Sequence, residues 1–196
     1  MSGPNTTSQA PSADSKGLLG FWVYLMTDCI LFASLFATFM VLRGNTAGGV
    51  EGKDIFELPF VLLETTVLLL SSLTSGFALL AAHRRNRHGT LLWLGITGML
   101  GLLFVDLEGY DFSKLVVEGH SCTKSAFLSS YFGLVGTHGL HITVGLIWLA
   151  GTMLYLKKRS FTARFMQRLT MFTMFWHFLD IVWIGIFTIV YLLGVL

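Results

Sequence analysis

Five long apolar stretches divide this sequence of 196 residues. They cover about residues 18–42, 58–82, 90–110, 126–156 and 169–196. Each is long enough to cross a bilayer as an α-helix, which takes about 20 residues. Because hydrocarbon cannot satisfy backbone N–H and C=O groups, spans of this length are expected to be helical. The sequence therefore predicts an all-α polytopic membrane protein, a bundle of five transmembrane helices.

The remaining sequence is short and polar. Charged residues make up 12% of the chain, about half the share in a soluble domain, and the net charge of +2 gives no indication of nucleic-acid binding. Residues 1–17 are rich in Ser, Thr, Pro and Asn, which predicts a disordered cytoplasmic tail before a transmembrane domain at 18–196. The first apolar run is too long for a signal peptide, so we interpret it as a retained span.

Basic residues predict the orientation. The second connection carries HRRNRHG and the fourth carries KKRSFTARFMQR, whereas the first and third hold two basic residues each. In a five-span chain the second and fourth connections lie on one side, which the positive-inside rule makes cytoplasmic. The N-terminus is then cytoplasmic and the C-terminus periplasmic.

Ionisable side chains within the spans are the candidate functional residues, because such groups are costly in hydrocarbon unless they are paired or turned into a protein interior. Together with one tyrosine near the outer end of the third span, they form the predicted set of buried polar residues: Asp28, Glu64, Glu108, Tyr110, His138, His141, His177 and Asp180. Counting depth at about 1.5 Å per residue predicts three pairs: Asp28 with His177, Asp180 with His141, and Glu64 with His138.

Two interpretations of these pairs remain open. In the first, carboxylates and imidazoles satisfy one another and fix how the helices associate. In the second, they form a proton relay or hold a cofactor. His138 and His141 share a helix face, as haem or metal ligands could, but bis-histidine ligation needs opposed histidines at one depth. An independent transporter or proton channel using Asp28, Glu64 and His141, or a small b-type cytochrome, are the alternatives.

Other residues add smaller expectations. Asp106, Glu108 and Asp111 are interpreted as an interfacial acidic cluster, and Cys29 and Cys122 lie too far apart in depth to form a disulfide. Nothing in the sequence indicates a metal cluster or a nucleophile with its base. Glycines recur every three residues on the third and fourth spans, which predicts that these spans pack closely: Gly95, Gly98, Gly101, Gly133, Gly136 and Gly139.

Several of these segments resemble subunit III of the haem-copper terminal oxidases. The matching runs are GTHGLHITVGL, FWHFLDIVW and DLEGYDF, and YLMTDCILFASLFATF is similar to the family helix that holds a buried carboxylate, at the position of Asp28. The family's usual residue there is Glu, which is one methylene longer. The segment NTAGGVEGKDIFELPFVLLET is similar to the cytochrome o ubiquinol oxidase branch of the family. A more familiar form of the family has seven helices, and the five spans predicted here lack its two additional N-terminal helices.

The resemblance implies an accessory subunit with no catalytic site and no haem, copper or quinone of its own. Haem and copper are then expected in the catalytic subunit I, beside which this chain would pack together with the other subunits. The complex would lie in the bacterial inner membrane, oxidise ubiquinol, reduce oxygen to water and pump protons. The family's subunit III is also associated with proton uptake and with bound phospholipid, which its two extra helices help to enclose.

Overall fold

The computed structural model describes residues 13–42, 58–117, 126–158 and 161–192. Within these residues the chain forms five long helices and no strand: α1 (Ala13–Leu42), α2 (Leu58–His83), α3 (Arg87–Val117), α4 (Ala126–Lys158) and α5 (Ala163–Ile186). The chain continues from α5 as a wider π-helical segment over Phe187–Leu192. All five helices are long and apolar enough to cross a membrane. The predicted all-α, five-span architecture is confirmed.

The helices extend beyond the predicted spans where polar residues flank them. α3 continues to Val117 rather than ending at 110, and α5 begins at Ala163 rather than at 169. α1 begins at Ala13, inside the segment predicted to be a disordered tail, while residues 1–12 and 193–196 lie outside the described residues. Hydropathy identifies the part of a helix that crosses hydrocarbon, whereas the backbone stays helical into the interfacial region.

Helix α5 is the centre of the bundle. Half of its membrane-spanning window is buried, against 22–33% for the other four helices. It packs against α1, α2 and α4, and Trp183 also meets Phe104 of α3 edge to face, with ring centroids 4.7 Å apart. Buried aromatic side chains on α5 therefore contact every other helix of the bundle.

Glycines on α3 and α4 let these helices approach closely, as predicted. A Cβ placed on Gly98 would lie 2.7 Å from a methyl group of Leu149, and one placed on Gly101 would lie 3.0 Å from both Leu146 and Trp176. Gly133, by contrast, has nothing within 4 Å and does not serve this contact. Small residues permit such packing in lipid, where no hydrophobic force drives helices together.

The two basic connections meet at one end of the molecule. α2 and α3 are joined by a tight turn in which Arg85 has a left-handed backbone, with φ of 53°. Asn86 caps α3 by accepting a hydrogen bond from the backbone N–H of Gly89 at 3.1 Å. Arg87 then donates hydrogen bonds to the carbonyls of Leu156 and Lys157 at the end of α4. We call this end of the bundle, with the residues named here, the basic end.

Candidate functional site

The structure buries most of the candidate residues. Buried in the bundle are Asp28, Glu64, Glu108, His138 and Asp180. His141 is half-buried, but Tyr110 is 62% exposed and His177 is also exposed, so the prediction of burial was wrong for these last two. Each lies on the side of its helix that turns away from the bundle, which depth along the chain cannot reveal.

Asp28 of α1 pairs with His141 of α4. Nε2 of His141 lies 3.6 Å from Oδ2 of Asp28. Nδ1 of His141 lies 2.7 Å from the carbonyl oxygen of Thr137 and must donate to it, since a carbonyl can only accept. At 3.6 Å the two groups form an ion-pair contact beyond hydrogen-bond distance, and Oδ2 of Asp28 has no hydrogen-bond partner among the described residues. The contact joins α1 to α4.

His138 lies one turn away on α4, in an apolar enclosure. Its ring stacks on Trp183, with centroids 5.2 Å apart and an interplanar angle of 26°. Phe32 and Phe104 meet it edge to face, with centroids 6.3 and 6.1 Å away. The side chain is fully buried, and neither ring nitrogen has a hydrogen-bond partner among the described residues. Aromatic rings on three other helices fix the position of this imidazole.

All three predicted pairs of acid and histidine are wrong. Asp28 pairs with His141 instead of His177, and Asp180 and Glu64 make no ion pair with His141 or His138 among the described residues. The partner of each polar group depends on the rotation of its helix about its own axis as well as on depth along the chain. That rotation is decided by packing.

Asp180 of α5 interacts with a serine and not with its predicted partner, His141, among the described residues. Its interactions are with Ser72 of α2 and with His177 one turn earlier on α5. Its Oδ1 is buried without a hydrogen-bond partner among the described residues. The carboxyl therefore contributes to the contact between α2 and α5.

A second polar group lies toward the end of the bundle opposite the basic end. Glu108 interacts electrostatically with Glu64 and Asp111, and its carboxyl group fills the space beside Gly139, where a Cβ would lie 2.7 Å from Oε2. One carboxylate oxygen of Glu64 and one of Glu108 are buried without a hydrogen-bond partner. Of the predicted interfacial acidic cluster, Asp106 is exposed and Asp111 half-buried, but Glu108 belongs to the interior.

Two buried tyrosines complete this group. The hydroxyl of Tyr131 lies 3.0 Å from that of Tyr191 and donates to Oδ2 of Asp111 at 3.4 Å. These contacts join the end of α3, the beginning of α4 and the π-helical segment after α5. Tyr131 and Tyr191 were not among the predicted buried polar residues, so this contact was missed.

Two hydrogen bonds from tryptophan N–H groups to side-chain hydroxyls were also not predicted from the sequence. Nε1 of Trp176 donates to Oγ of Ser71 at 3.1 Å, and Nε1 of Trp183 donates to Oγ1 of Thr65 at 3.0 Å. Both hydroxyls belong to the segment TTVLLLSSLTSG of α2. Six hydroxyl residues in this otherwise apolar segment were the available signal for the contact between α2 and α5.

The described residues hold few groups that could bind a metal. No set of three or more His, Cys, Asp or Glu side chains in the described ranges is arranged to hold a metal ion. Cys29 is a free thiol, and Cys122 lies outside those ranges. The buried polar groups lie at contacts between helices.

Comparison with known proteins identifies the family. The sequence matches the family model of cytochrome c oxidase subunit III over residues 5–195. It is 53% identical to the cytochrome bo(3) ubiquinol oxidase subunit 3 of Pseudomonas aeruginosa, over 93% of this chain and 88% of the relative. It is also 45% identical to the quinol oxidase subunit 3 of Bacillus subtilis, over 90% and 87% of the two chains.

A third relative is named as a cytochrome c oxidase subunit and not as a quinol oxidase subunit. The cytochrome c oxidase subunit 3 of Bacillus sp. (strain PS3) is 43% identical, over 90% of this chain and 85% of its own. Family membership thus follows from both the family model and these full-length similarities, and it agrees with the five spans of the structure. The chain belongs to the cytochrome c oxidase subunit III family.

Proposed function

We propose that this chain is the accessory subunit III of a ubiquinol-oxidising haem-copper oxidase in a bacterial inner membrane. The observation that carries the proposal is the 53% identity, over 93% of the chain, to a protein named as a ubiquinol oxidase subunit 3. The complex would oxidise ubiquinol, reduce oxygen to water and move protons outward. Haem and copper would supply the redox chemistry in the catalytic subunit I.

The buried polar groups support an accessory role. Most of the candidate acids and imidazoles are turned into the bundle, where Asp28 meets His141 and Glu108 packs on Gly139. Such contacts fix the positions of helices in lipid. The outward helix faces remain available for the catalytic subunit, other oxidase subunits and phospholipid.

The orientation is part of this proposal. Arg87 bonds to the end of α4, so the two strongly basic connections lie together. This arrangement supports a cytoplasmic basic end, with the N-terminus cytoplasmic and the C-terminus periplasmic. Labelling of single introduced cysteines with a membrane-impermeant maleimide in intact cells tests it. Reaction at residue 88 before the membrane is broken would contradict the orientation.

Purification of the complex through a tag on this chain tests the proposed function. The expected preparation contains haem-bearing subunits and consumes oxygen with ubiquinol, but not with reduced cytochrome c. Oxidation of cytochrome c alone would overturn the assignment to ubiquinol while leaving the accessory role. Haem that stays with this chain after the other subunits are removed would overturn the accessory role.

We extend the proposal to Asp28 as a residue that supports proton uptake. The carboxyl lies halfway along α1, and its Oδ2 lies 3.6 Å from Nε2 of His141. Asp28→Asn preserves size but cannot take up or release a proton near neutral pH. We expect it to shorten the lifetime of the oxidase during turnover or lower its proton stoichiometry, with the subunit still present in the complex.

A matched control separates this role from a structural one. Asp106→Asn makes the same chemical change at an exposed position of α3 and should leave both measurements unchanged. Loss of the subunit from the Asp28→Asn complex would indicate that the pair is structural. Unchanged lifetime and stoichiometry with the subunit retained would remove the role of Asp28 in proton uptake.

A further inference from the structure

A groove runs along the outside of the bundle between α1 and α5, with Leu79 of α2 at its floor. Its volume is about 520 Å³, which lies within the usual range for small-molecule sites of about 300–1,000 Å³. On α5 the lining residues extend from Thr170 to Ile181, a rise of about 16 Å along the helix. Its walls are mainly apolar, so the groove suits a long hydrophobic molecule.

One polar side chain in this groove, His177, interacts electrostatically with Asp180 but has a ring nitrogen without a hydrogen bond among the described residues. His177 is exposed and lines the groove, and it is the fifteenth of the 30 residues in the span Ala163–Leu192. The imidazole therefore lies within the membrane-spanning part of α5. Hydrocarbon cannot hydrogen-bond with it, and polar groups at such depth normally face a partner or a binding site.

The hydrogen bonding of His177 defines what its partner must offer. Nδ1 lies 2.8 Å from the carbonyl oxygen of Thr173 and donates to it. In the neutral ring, Nε2 is then an acceptor. No hydrogen bond to Nε2 is formed within the described parts of the chain. A molecule that fits the site must bring an O–H or N–H donor into the membrane-spanning part of the groove.

We infer that this groove binds a quinol, with one hydroxyl donating to Nε2 of His177 and the hydrophobic tail lying along the apolar walls. The inference rests on the proposed function, in which the complex takes its substrate from the membrane. Trp22 and Phe178 offer aromatic surfaces for a flat ring, and Met26 and Met174 are adaptable apolar neighbours. No electron transfer takes place here; the groove holds the reduced molecule next to the complex.

Other occupants fit these observations less well. A phospholipid carries its polar headgroup at the membrane surface, about 15 Å from the midplane, and its acyl chains have no hydrogen-bond donor. An oxidised quinone has carbonyl oxygens in place of hydroxyls and cannot donate to Nε2. The chemistry of His177 therefore selects the reduced form over the oxidised form.

Photolabelling of the intact complex tests the inference. The purified oxidase in lipid nanodiscs is illuminated with an azido-ubiquinol analogue kept reduced, and labelled peptides are identified by mass spectrometry. We expect label in peptides that contain Trp22–Cys29 or Thr170–Ile181. His177→Leu should reduce that label about five- to tenfold, the usual effect of losing one hydrogen bond. Labelling of the catalytic subunit should stay unchanged and serves as the internal reference.

His83→Leu is the matched control. His83 is also an exposed helical histidine whose Nδ1 donates to the carbonyl four residues earlier, but it lies at the end of α2, outside the groove. It should leave the label unchanged. Cys29→Phe, which fills the groove from α1, should also lower the label and provides a second test if His177→Leu does not assemble.

The failures of the two proposals can be told apart. If the catalytic subunit is labelled but the groove peptides are not, the groove does not bind quinol, while the assignment to a ubiquinol oxidase stands. A phospholipid or a partner helix in the groove would give this result. Equal labelling by the oxidised analogue, or undiminished labelling in His177→Leu, would also overturn the inference. A complex labelled nowhere that oxidises only cytochrome c would overturn the proposed function itself.

Discussion

Gly145→Ala is expected to destabilise the bundle strongly, because it displaces Trp176. The indole of Trp176 lies between two glycines: a Cβ on Gly101 would lie 3.0 Å from two of its ring atoms, and one on Gly145 would lie 2.9 Å from a third. The same ring donates its N–H to Ser71 and is 1% exposed. It therefore has no free space into which it can shift.

The magnitude follows from two contributions. Inserting a methyl group into a filled interior costs about 1–3 kcal/mol, and loss of the Trp176–Ser71 hydrogen bond costs about 1 kcal/mol more. These two costs sum to about 2–4 kcal/mol. Because the higher helix propensity of alanine offsets up to about 1 kcal/mol, the net loss in the free energy of unfolding is about 1–4 kcal/mol. SDS titration of the chain in mild detergent, followed by tryptophan fluorescence, measures this quantity.

Gly151→Ala is the control on the same helix. Gly151 is exposed and has nothing within 4 Å of an added Cβ, so alanine should be neutral there or stabilise by up to about 1 kcal/mol. Trp176→Phe removes much of the obstructing ring, and Gly145→Ala should cost less in that background. Equal stability of Gly145→Ala and Gly151→Ala would refute the argument that Trp176 is held rigidly.

Two further predictions concern contacts between helices. Thr65→Val should lower the free energy of unfolding by about 1–3 kcal/mol, because it leaves the indole N–H of Trp183 without its acceptor, and SDS titration will show whether Thr65→Ser restores the value. Arg87→Ala should cost about 1.5–3 kcal/mol by removing charged hydrogen bonds to the carbonyls of Leu156 and Lys157, and should speed proteolysis near the end of α4. Unchanged cleavage would show that these bonds do not hold the basic end together.

Much of the fold could be predicted from the sequence, but only part of the candidate site could. The spans follow from hydropathy, and the close approach of Gly98 and Gly101 to α4 follows from their spacing. The depth estimate paired Asp28 with His177, whereas the structure pairs it with His141. The hydroxyls of Thr65 and Ser71 were missed because a short polar side chain in an apolar helix has no preferred partner until another helix crosses it.

The sequence by itself determined the number of membrane crossings and the family. A bilayer admits only helices of a certain length, so twenty or more apolar residues leave the chain little choice of local structure. Only the tertiary structure decided that Asp28 meets His141, that His138 is enclosed by aromatic rings, and that His177 faces a groove. The direction in which a side chain points from its helix depends on how all five helices rotate as they pack together. Hydropathy along the sequence does not predict that rotation.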